Sequence, residues 1–349
     1  MAKPFSSAIG IDLGRHSIKA VLLQQRRQNR CALTHFALRE LDEEPTTPEA
    51  LGAHLGALLG ALGGKAKAYG LTLSGAGSFV RIVQQPKMEP ALLREALRLN
   101  GATLLNQNCK EMVLDCDLVP SAEPREPGEP GATPVENYLV GGLPRSHVAL
   151  LRQACQRNKI PTQLLQLDPV ALLNAFEFSD PETFASQAFV LVDIGHRSTT
   201  VSVGAARELI MVRTFDFGGE SFVEELICHG AASQEEIFQH LAIEEVLTVE
   251  NARLSLSDLV RSIAASINYV ETRHEATIPR ISVSGGLARS PTILKLLTEE
   301  LQLPCDLWNP FGQCEIALPA SQREAFAEAI PLLGSACGAA AELIRGRSK

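Results

Sequence analysis

Two segments of the chain share one pattern of apolar and polar positions. The first, AIGIDLGRHSIKAVLL, covers residues 8–23, and the second, FVLVDIGHRSTTVSVG, covers residues 189–204. Each has an apolar run, the triplet Asp-x-Gly, a short polar stretch and a second run of strand-forming residues. Because such runs favour extended backbone and glycine permits a tight turn, each segment is predicted to form a β-hairpin. The repetition predicts two similar lobes, each built around one hairpin.

Shorter patterns predict further elements. Thr-Pro-Glu at 47–49 is typical of a helix start, because the hydroxyl can cap the first turn and proline is favoured there. Gly-Gly at 63–64 is expected to end that helix, and Ser-Pro at 290–291 predicts another start. The remaining predicted strands cover residues 31–38, 68–73, 80–85, 111–119, 137–142, 162–167 and 280–283. The remaining predicted helices cover residues 91–99, 145–157, 169–178, 220–228, 233–240, 256–276 and 330–344.

The chain between the two hairpins contains more elements than one lobe needs. Residues 81–159 are predicted to form a small α/β insert, which includes the segment PSAEPREPGEPGATP at 120–134. This segment is rich in proline, glycine and acidic residues, and it is predicted to be a surface loop. The first lobe is expected to comprise residues 1–80, 160–185 and 331–349, and the second lobe residues 186–330.

Composition restricts the class of protein. A chain of 349 residues with 45% hydrophobic and 21% charged residues is long enough for two cores. The formal net charge of −8 argues against non-specific nucleic-acid binding, which needs clustered cations. The sequence contains no apolar run near the roughly 20 residues of a membrane span, and its start lacks a signal-peptide pattern. A cytoplasmic protein with no direct membrane insertion is therefore expected.

Cysteine and histidine spacing gives no sign of a protein-held metal centre. The sequence contains eight residues of each type, with no C-x-x-C pair and no H-E-x-x-H motif. The cysteines are expected to be small buried hydrophobes.

The polar tips of the two hairpins are suited to phosphate. A turn containing glycine lets backbone N–H groups collect phosphate oxygens, and hydroxyl groups add donors. Asp12 and Asp193 occupy equivalent positions, where a carboxylate can hold Mg²⁺ through water, because this ion keeps much of its hydration shell. Lys19 lies two residues beyond Ser17, so a strand places both side chains on one face and the ammonium can bind phosphate. The pattern predicts a nucleotide-type cleft between the lobes.

A third motif, SGGLARSP at 284–291, has the form of a strand end, a glycine pair and a helix start. The missing side chains of Gly285 and Gly286 would let a flat base or a ribose approach the backbone. A glycine pair alone is often only a loop between two elements. Here it indicates a binding motif because it follows the two hairpins in the sequence.

The order of hairpin, hairpin and glycine pair resembles the actin–Hsp70–sugar kinase superfamily. A closer resemblance is to the PilM family of type IV pilus assembly proteins, which is related to FtsA. The segments that carry it, besides the hairpins, are YLVGGLPRSHVALLRQAC (138–155), LDPVALLNAFEF (167–178), TFDFGGESF (214–222), ISVSGGLARSP (281–291) and LWNPF (307–311). The resemblance implies an α/β, actin-like, two-lobed fold with duplicated mixed β-sheet domains and a small α/β insert.

The resemblance also implies a site for ATP with Mg²⁺ between the lobes. It assigns the first phosphate loop to Asp12, Gly14, Ser17 and Lys19, the second to Asp193, Gly195, Ser198 and Thr199, and the adenosine motif to Gly285 and Gly286. Asp12 and Asp193 would hold the metal, in both cases through water. Any enzymatic activity is expected to be at most a weak ATPase.

The partner implied by the resemblance is a PilN-like inner-membrane protein. Its short N-terminal cytosolic segment would lie in a groove between the first lobe and the insert, with walls from residues 79–85 and 91–99. Binding would recruit the chain to the inner face of the cytoplasmic membrane, beside other pilus assembly proteins, and self-association is a further expectation.

Both phosphate loops carry cations where small hydroxyl residues are usual, namely Arg15 and His16 in the first and His196 and Arg197 in the second. These four are also candidate nucleotide ligands, because they could add charge-assisted bonds to phosphate. Alternatively, they could fill the cleft or pair with Asp12 and Asp193. A third interpretation turns them outward to water.

Two other functions stay open at this stage. Residues 230–241 place Phe238 and Leu241 where relatives have polar contacts to the nucleoside, which favours a pseudo-ATPase scaffold without nucleotide. A small-molecule phosphotransferase would need a carboxylate base, for which Asp168 and Asp216 are the candidates. The Asp-Pro context of Asp168 instead predicts a helix cap.

Overall fold

The computed structural model describes residues 4–27, 30–73, 75–120, 134–228, 249–274 and 276–346. The strands are β1 (Ser7–Leu13), β2 (Ser17–Gln25), β3 (Cys31–Glu40), β4 (Ala68–Leu73), β5 (Phe79–Pro86), β6 (Met112–Leu118), β7 (Val135–Pro144), β8 (Thr162–Leu167), β9 (Ala188–Ile194), β10 (Thr199–Ala205), β11 (Glu208–Phe215), β12 (Ile281–Gly285), β13 (Cys305–Leu307) and β14 (Cys314–Ile316). The helices are α1 (Pro48–Leu62), α2 (Pro90–Leu105), α3 (Arg145–Arg157), α4 (Asp168–Ser179), α5 (Pro181–Ser186), α6 (Gly219–Cys228), α7 (Val249–His274), α8 (Pro291–Leu301), α9 (Arg323–Ala329) and α10 (Gly334–Arg345).

The two large sheets share one topology. The first has the order β14-β3-β2-β1-β4-β8 and the second the order β11-β10-β9-β12-β13. In each, a hairpin pairs antiparallel, its second strand pairs antiparallel with the next, and its first strand continues into two parallel neighbours. Both predicted hairpins are therefore confirmed, and the internal repeat extends over five strands of each lobe.

The predicted helix signals at α1 and α8 are also confirmed. The hydroxyl of Thr47 accepts a hydrogen bond from the backbone N–H of Ala50 at 3.2 Å, and Gly63 ends α1 in the left-handed conformation with φ 70°. The hydroxyl of Ser290 accepts from the N–H of Ile293 at 3.4 Å. The predicted helix at 233–240 lies outside the described residues.

Helix α10 is buried on almost every side. It packs against β1, β2, β4 and α4, inside an apolar cluster that also includes Phe189 of β9 and Trp308 before β14. Its small side chains, mostly alanine and glycine, allow this close approach on several sides. The last helix, predicted over 330–344, is confirmed as α10, but it begins at Gly334 because a 3₁₀ turn at Ile330–Leu332 precedes it. The segment Ala320–Leu332, which includes this turn, is bent by 91° from α10.

Within the described residues no single helix is long and apolar enough to cross a membrane. One bent helix pair, Ala320–Leu332 with Gly334–Arg345, passes the same length and composition test jointly.

The insert has a sheet of its own, in the order β5-β7-β6, with α2 packed on it. Its β5 lies against β11 of the second lobe. Helix α3, which was expected in the insert, packs instead on the first lobe, because its buried Leu151 and Ala154 join a cluster with Leu55 of α1. The expected loop at 120–134 lies, except for its two end residues, outside the described residues. The bounds of the three domains stay a prediction.

Close helix packing generates a stability prediction. A Cβ at Gly338 of α10 would lie 1.7 Å from the carbonyl oxygen of Ala171 in α4, whereas one at Gly60 of α1 would meet nothing within 4 Å. We expect Gly338→Ala to lower the free energy of unfolding by about 1–3 kcal/mol, because backbone must move apart.

Gly60→Ala is the matched control, a helical glycine with open space around it. It should raise stability by up to about 1 kcal/mol, because alanine loses less conformational freedom in a helix. Denaturant unfolding of both variants measures these changes. Equal stability of the two would contradict the tight packing of α10 on α4.

Candidate functional site

A cavity of about 760 Å³ lies between the two lobes. Its walls come from both hairpin turns, the start of α4, the end of β12 and the start of α10. Of the residues predicted for the site, those that line it are Asp12, Gly14, Arg15, His16, Ser17, Lys19, Asp193, Gly195, His196, Arg197, Ser198, Gly285 and Gly286. The fold thus brings all three sequence motifs to one cleft, while contact of these residues with a ligand stays a prediction.

Thr199 was placed in the second phosphate loop, and the structure places it elsewhere. Its side chain is fully buried, and its hydroxyl donates a hydrogen bond to the carbonyl oxygen of Phe217 at 2.7 Å. Thr200 lines the cleft instead, because successive residues of a strand face opposite sides of the sheet. In the strand register Thr200 is opposite Asp193, as Lys19 is opposite Asp12. The alignment of the two hairpins therefore could have identified Thr200, and not Thr199, as the residue that faces the cleft.

An ion pair joins the two strands of the first hairpin. The ammonium of Lys19 donates to Asp12 Oδ2 at 2.8 Å, and the two side chains are only 12% and 10% exposed. Burial lowers the pKa of Lys19, but the attraction of Asp12, and more weakly of Asp168 and Asp193, outweighs it and leaves that pKa raised. Lys19 therefore stays a cation that faces the cleft.

The equivalent carboxylate of the second hairpin has a neutral partner. Asp193 Oδ1 accepts a hydrogen bond from the hydroxyl of Ser284 at 2.7 Å, across the parallel pairing of β9 and β12. Burial raises the pKa of Asp193, while Ser284 and Lys19 act in the opposite direction. Ser284 is the first residue of the third motif, so this motif also orients the second carboxylate.

Asp168 is a third carboxylate in the cleft, and its predicted role as a helix cap is wrong. It is the first residue of α4, whose N-cap is Leu167, and it makes no capping bond. Its Oδ1 is buried without a hydrogen-bond partner among the described residues. Burial, and then Asp12 and Asp193, raise the pKa of Asp168 well above its ordinary value, although Ser335 hydrogen-bonds to it.

Three carboxylates around one ammonium suit a hydrated divalent cation better than a directly ligated one. The described residues contain no group of three or more histidine, cysteine, aspartate or glutamate side chains arranged to ligate a metal. Mg²⁺ typically keeps several waters and is held by one or two carboxylates together with substrate phosphates. Asp12, Asp193 and the unpaired Oδ1 of Asp168 fit such an ion through water.

The two glycines of the third motif differ in what they permit. A Cβ at Gly285 would lie 2.1 Å from the carbonyl oxygen of Ile194, and its φ of 92° also disfavours a side chain. Gly285 is therefore required for the contact of β12 with β9. Gly286 has open space where a Cβ would stand, and it faces the cavity. The surface suited to a flat group is thus at Gly286.

None of the four cationic residues of the phosphate loops pairs with Asp12 or Asp193 in the described part of the chain. Arg15 and Arg197 form ion pairs with Glu44, and Arg197 also pairs with Glu220. The rings of His16 and His196 stack on each other. The interpretation in which they neutralise the two cleft aspartates is therefore wrong. The sequence analysis missed both partners: Glu44 lies in no motif, and Glu220 lies in the segment TFDFGGESF without having been assigned a role.

Asp216, the other candidate base, is exposed and does not line the main cavity. It lies on a neighbouring cavity of about 160 Å³ between the lobes. Phe238 and Leu241 lie outside the described residues.

One family model matches most of the chain, and solved structures of similar fold support the fold. A family model described as type IV pilus assembly protein PilM matches residues 10–343. No curated protein sequence matches the chain. The solved PilM–PilN type IV pilus biogenesis complex is similar with a TM-score of 0.79 and 20% identity, over 97% of this chain and 98% of that chain. The ethanolamine utilization protein EutJ from Carboxydothermus hydrogenoformans is similar with a TM-score of 0.51 and 14% identity, over 99% and 91%. The fold is actin-like, as expected.

The charge of the cleft generates a prediction for stability. Asp168→Asn should raise the melting temperature near neutral pH by roughly 1–3 °C, because it removes a carboxylate whose ionised form is disfavoured in the folded state. A group with a raised folded-state pKa stabilises the fold when protonated and loses that contribution as the pH rises. The advantage of the asparagine should therefore shrink as the pH falls toward about 4.

Calorimetry between these pH values measures the effect. Asp306→Asn is the control, because Asp306 is exposed on β13, and it should change the melting temperature little. A lower melting temperature for Asp168→Asn than for Asp306→Asn near neutral pH would show that Asp168 stabilises the fold.

Proposed function

The chain belongs to the PilM family of type IV pilus assembly proteins, and we propose that it is an actin-like scaffold in the assembly of a type IV pilus or a related secretion system. It binds ATP with Mg²⁺ between its lobes and a short N-terminal peptide of a PilN-like inner-membrane protein. It acts in the cytoplasm, held by that partner at the inner face of the membrane, together with other assembly proteins. The observation that carries this proposal is the convergence of both hairpin turns and the glycine pair on one cavity.

The residues of the cleft divide the task of binding a nucleotide. Lys19 provides a fixed positive charge beside the two turns, and Gly14, Gly195, Ser17 and Ser198 provide donors for phosphate oxygens. Asp12, Asp193 and Asp168 hold a hydrated Mg²⁺, which offsets the repulsion between these acidic side chains and the phosphates. Gly286 offers open backbone to the nucleoside. We assign no residue to the orientation of a hydrolytic water, and at most weak ATPase activity is proposed.

The first test is thermal unfolding with Mg-ATP. Millimolar ligand with micromolar affinity should stabilise the chain by about 4 kcal/mol, which shifts the melting temperature by several degrees. The shift should require magnesium and disappear in Asp193→Asn, which keeps a hydrogen-bonding group for Ser284 but loses the charge.

Asp216→Asn is the matched control, because Asp216 lies outside the main cavity, and its shift should equal that of the parent. An equal shift in Asp193→Asn would overturn the assignment of the cleft. No shift in the parent would favour the scaffold without nucleotide.

The proposed peptide site lies on the insert. Helix α2 packs on its sheet through Leu93 and Leu97, while Leu92 and Leu99 are 62% and 76% exposed. Residues seven apart lie on one face of a helix, so these two leucines form one apolar stripe. The similar structure is of a PilM–PilN complex, and an apolar stripe on this helix suits an amphipathic peptide.

We expect Leu99→Glu to weaken binding of the PilN-like N-terminal segment by at least about tenfold, because a charge would enter an apolar contact. The melting temperature should change little, since Leu99 is exposed. Leu254→Glu, at a half-exposed leucine of α7 in the second lobe, is the control. Titration of a fluorescent synthetic peptide measures both, and equal affinity for the two variants would place the peptide elsewhere.

A phosphotransferase is the second candidate, and one observation favours it. Asp168 lines the cleft with an unpaired carboxylate oxygen, where an acceptor hydroxyl could be deprotonated. Formation of ADP that depends on an added small-molecule acceptor, and that Asp168→Asn abolishes, would support this function over the scaffold.

A further inference from the structure

The turns of the two hairpins meet at the mouth of the cleft. His16 lies between β1 and β2, and His196 lies between β9 and β10. Their ring centroids are 4.5 Å apart, with an angle of 21° between the planes, which is a stacked arrangement. One ring belongs to each lobe, so this contact exists only while the lobes are close together.

A bridging carboxylate joins the same two turns. Glu44, in the connection between β3 and α1, lies 3.4 Å from Arg15 Nε in its own lobe and 3.7 Å from Arg197 Nη1 in the other. On the second lobe, Glu220 lies 3.0 Å from Arg197 Nε and 3.8 Å from His196 Nε2. Among the described residues, the two turns at the mouth of the cleft are therefore joined by one ring stack and by the ion pair of Glu44 with Arg197, while Glu220 pairs within the second lobe.

We propose that His16, His196, Glu44 and Arg197 form a latch that holds the lobes together at neutral pH and releases them as the pH falls. This inference rests on the proposed function, because the cleft that the latch covers is the proposed nucleotide site. We call these four residues the latch.

Protonation acts on the stack because two imidazolium rings repel each other. Burial first, and then His16, Arg197 and Arg15, lower the pKa of His196, and only Glu220 opposes them. A group that is harder to protonate when the lobes are closed favours the open arrangement once the solution pH approaches its ordinary value of about 6.5. Protonated His196 then keeps Glu220 as a partner within its own lobe.

The contacts of the latch are weak enough to form and break reversibly. Arg197 and Glu44 are 45% and 41% exposed, and exposed ion pairs stabilise little. All of the latch except Glu44 lines the cavity, so opening it widens the path to the phosphate loops. A ligand that binds one arrangement better shifts the balance between them. We therefore expect exchange of nucleotide to be faster when the latch is open.

The first experiment follows the histidines directly, without nucleotide. Imidazole carbon resonances of the labelled chain, assigned by single His→Gln variants, give the pKa of each histidine. We expect His196 to titrate below about 6.5 in the parent and closer to that value in His16→Gln. The same pKa for His196 in both proteins would overturn the coupling of the two rings.

The second experiment measures release of a fluorescent ATP analogue with magnesium near pH 7.5 and pH 6. The parent should release it at least about threefold faster at the lower pH, and the double variant His16→Gln/His196→Gln should lose this dependence. His274→Gln is the control, since His274 is exposed at the end of α7 and does not line the cavity. An unchanged dependence in the double variant would refute the latch.

Backbone hydrogen exchange at residues 12–19 and 193–200, corrected for the intrinsic effect of pH, tests the latch independently of nucleotide binding. Protection that falls at the lower pH in the parent but not in the double variant supports the latch even if the analogue does not bind. Equal protection in both proteins at both pH values refutes it.

Discussion

The interaction on which the cleft depends is a single buried ammonium among three carboxylates. Lys19 pairs with Asp12 across β1 and β2, and Asp193 and Asp168 face the same space from β9 and α4. Lys19 is paired with Asp12, so Asp193 and Asp168 have no cationic partner of their own and the pKa of each is raised, which disfavours a further anion in this buried site. Because a polyphosphate brings further negative charge, we expect any nucleotide that binds here to enter together with a cation such as Mg²⁺.

The position of those carboxylates follows from how closely the backbone elements approach one another. Gly10 and Gly70 bring β1 and β4 against α10, where a Cβ would collide with the carbonyl oxygens of Ala336 and Ala339. Gly285 brings the end of β12 against β9 in the same way. Because α10 packs on the first sheet and its apolar cluster also includes residues of β9, its burial joins the two lobes at the base of the cleft. The base is fixed by close packing, whereas the mouth is joined by exposed polar contacts.

Local patterns predicted the repeated elements, and long-range packing decided the rest. Both hairpins and the limits of α1 follow from apolar alternation, a capping hydroxyl and a terminal glycine, which act within a few residues. Thr199 was misplaced because the face of a strand residue depends on register, and Thr200 pairs with Asp193 instead. Asp168 looked like a cap because Asp-Pro is typical of one, but its surroundings come from Asp12, Asp193 and Ser335. Glu44 belongs to no motif, and only the closed arrangement of the lobes brings it to Arg197.

The cationic turns now have a physical explanation that leaves the cleft intact. Bulky cations beside Asp12 and Asp193 would cancel the charge that a metal needs if they turned inward. Their partners are instead Glu44 and Glu220, which lie outside the carboxylate cluster and balance Arg15 and Arg197. The cluster thus keeps its charge, and the cations gain contacts between the lobes. Because Arg15 and Arg197 already have carboxylate partners, a phosphate would have to displace those partners to reach them. Phosphate binding by Arg15 and Arg197 would then compete with the contact between the lobes for the same positive charges.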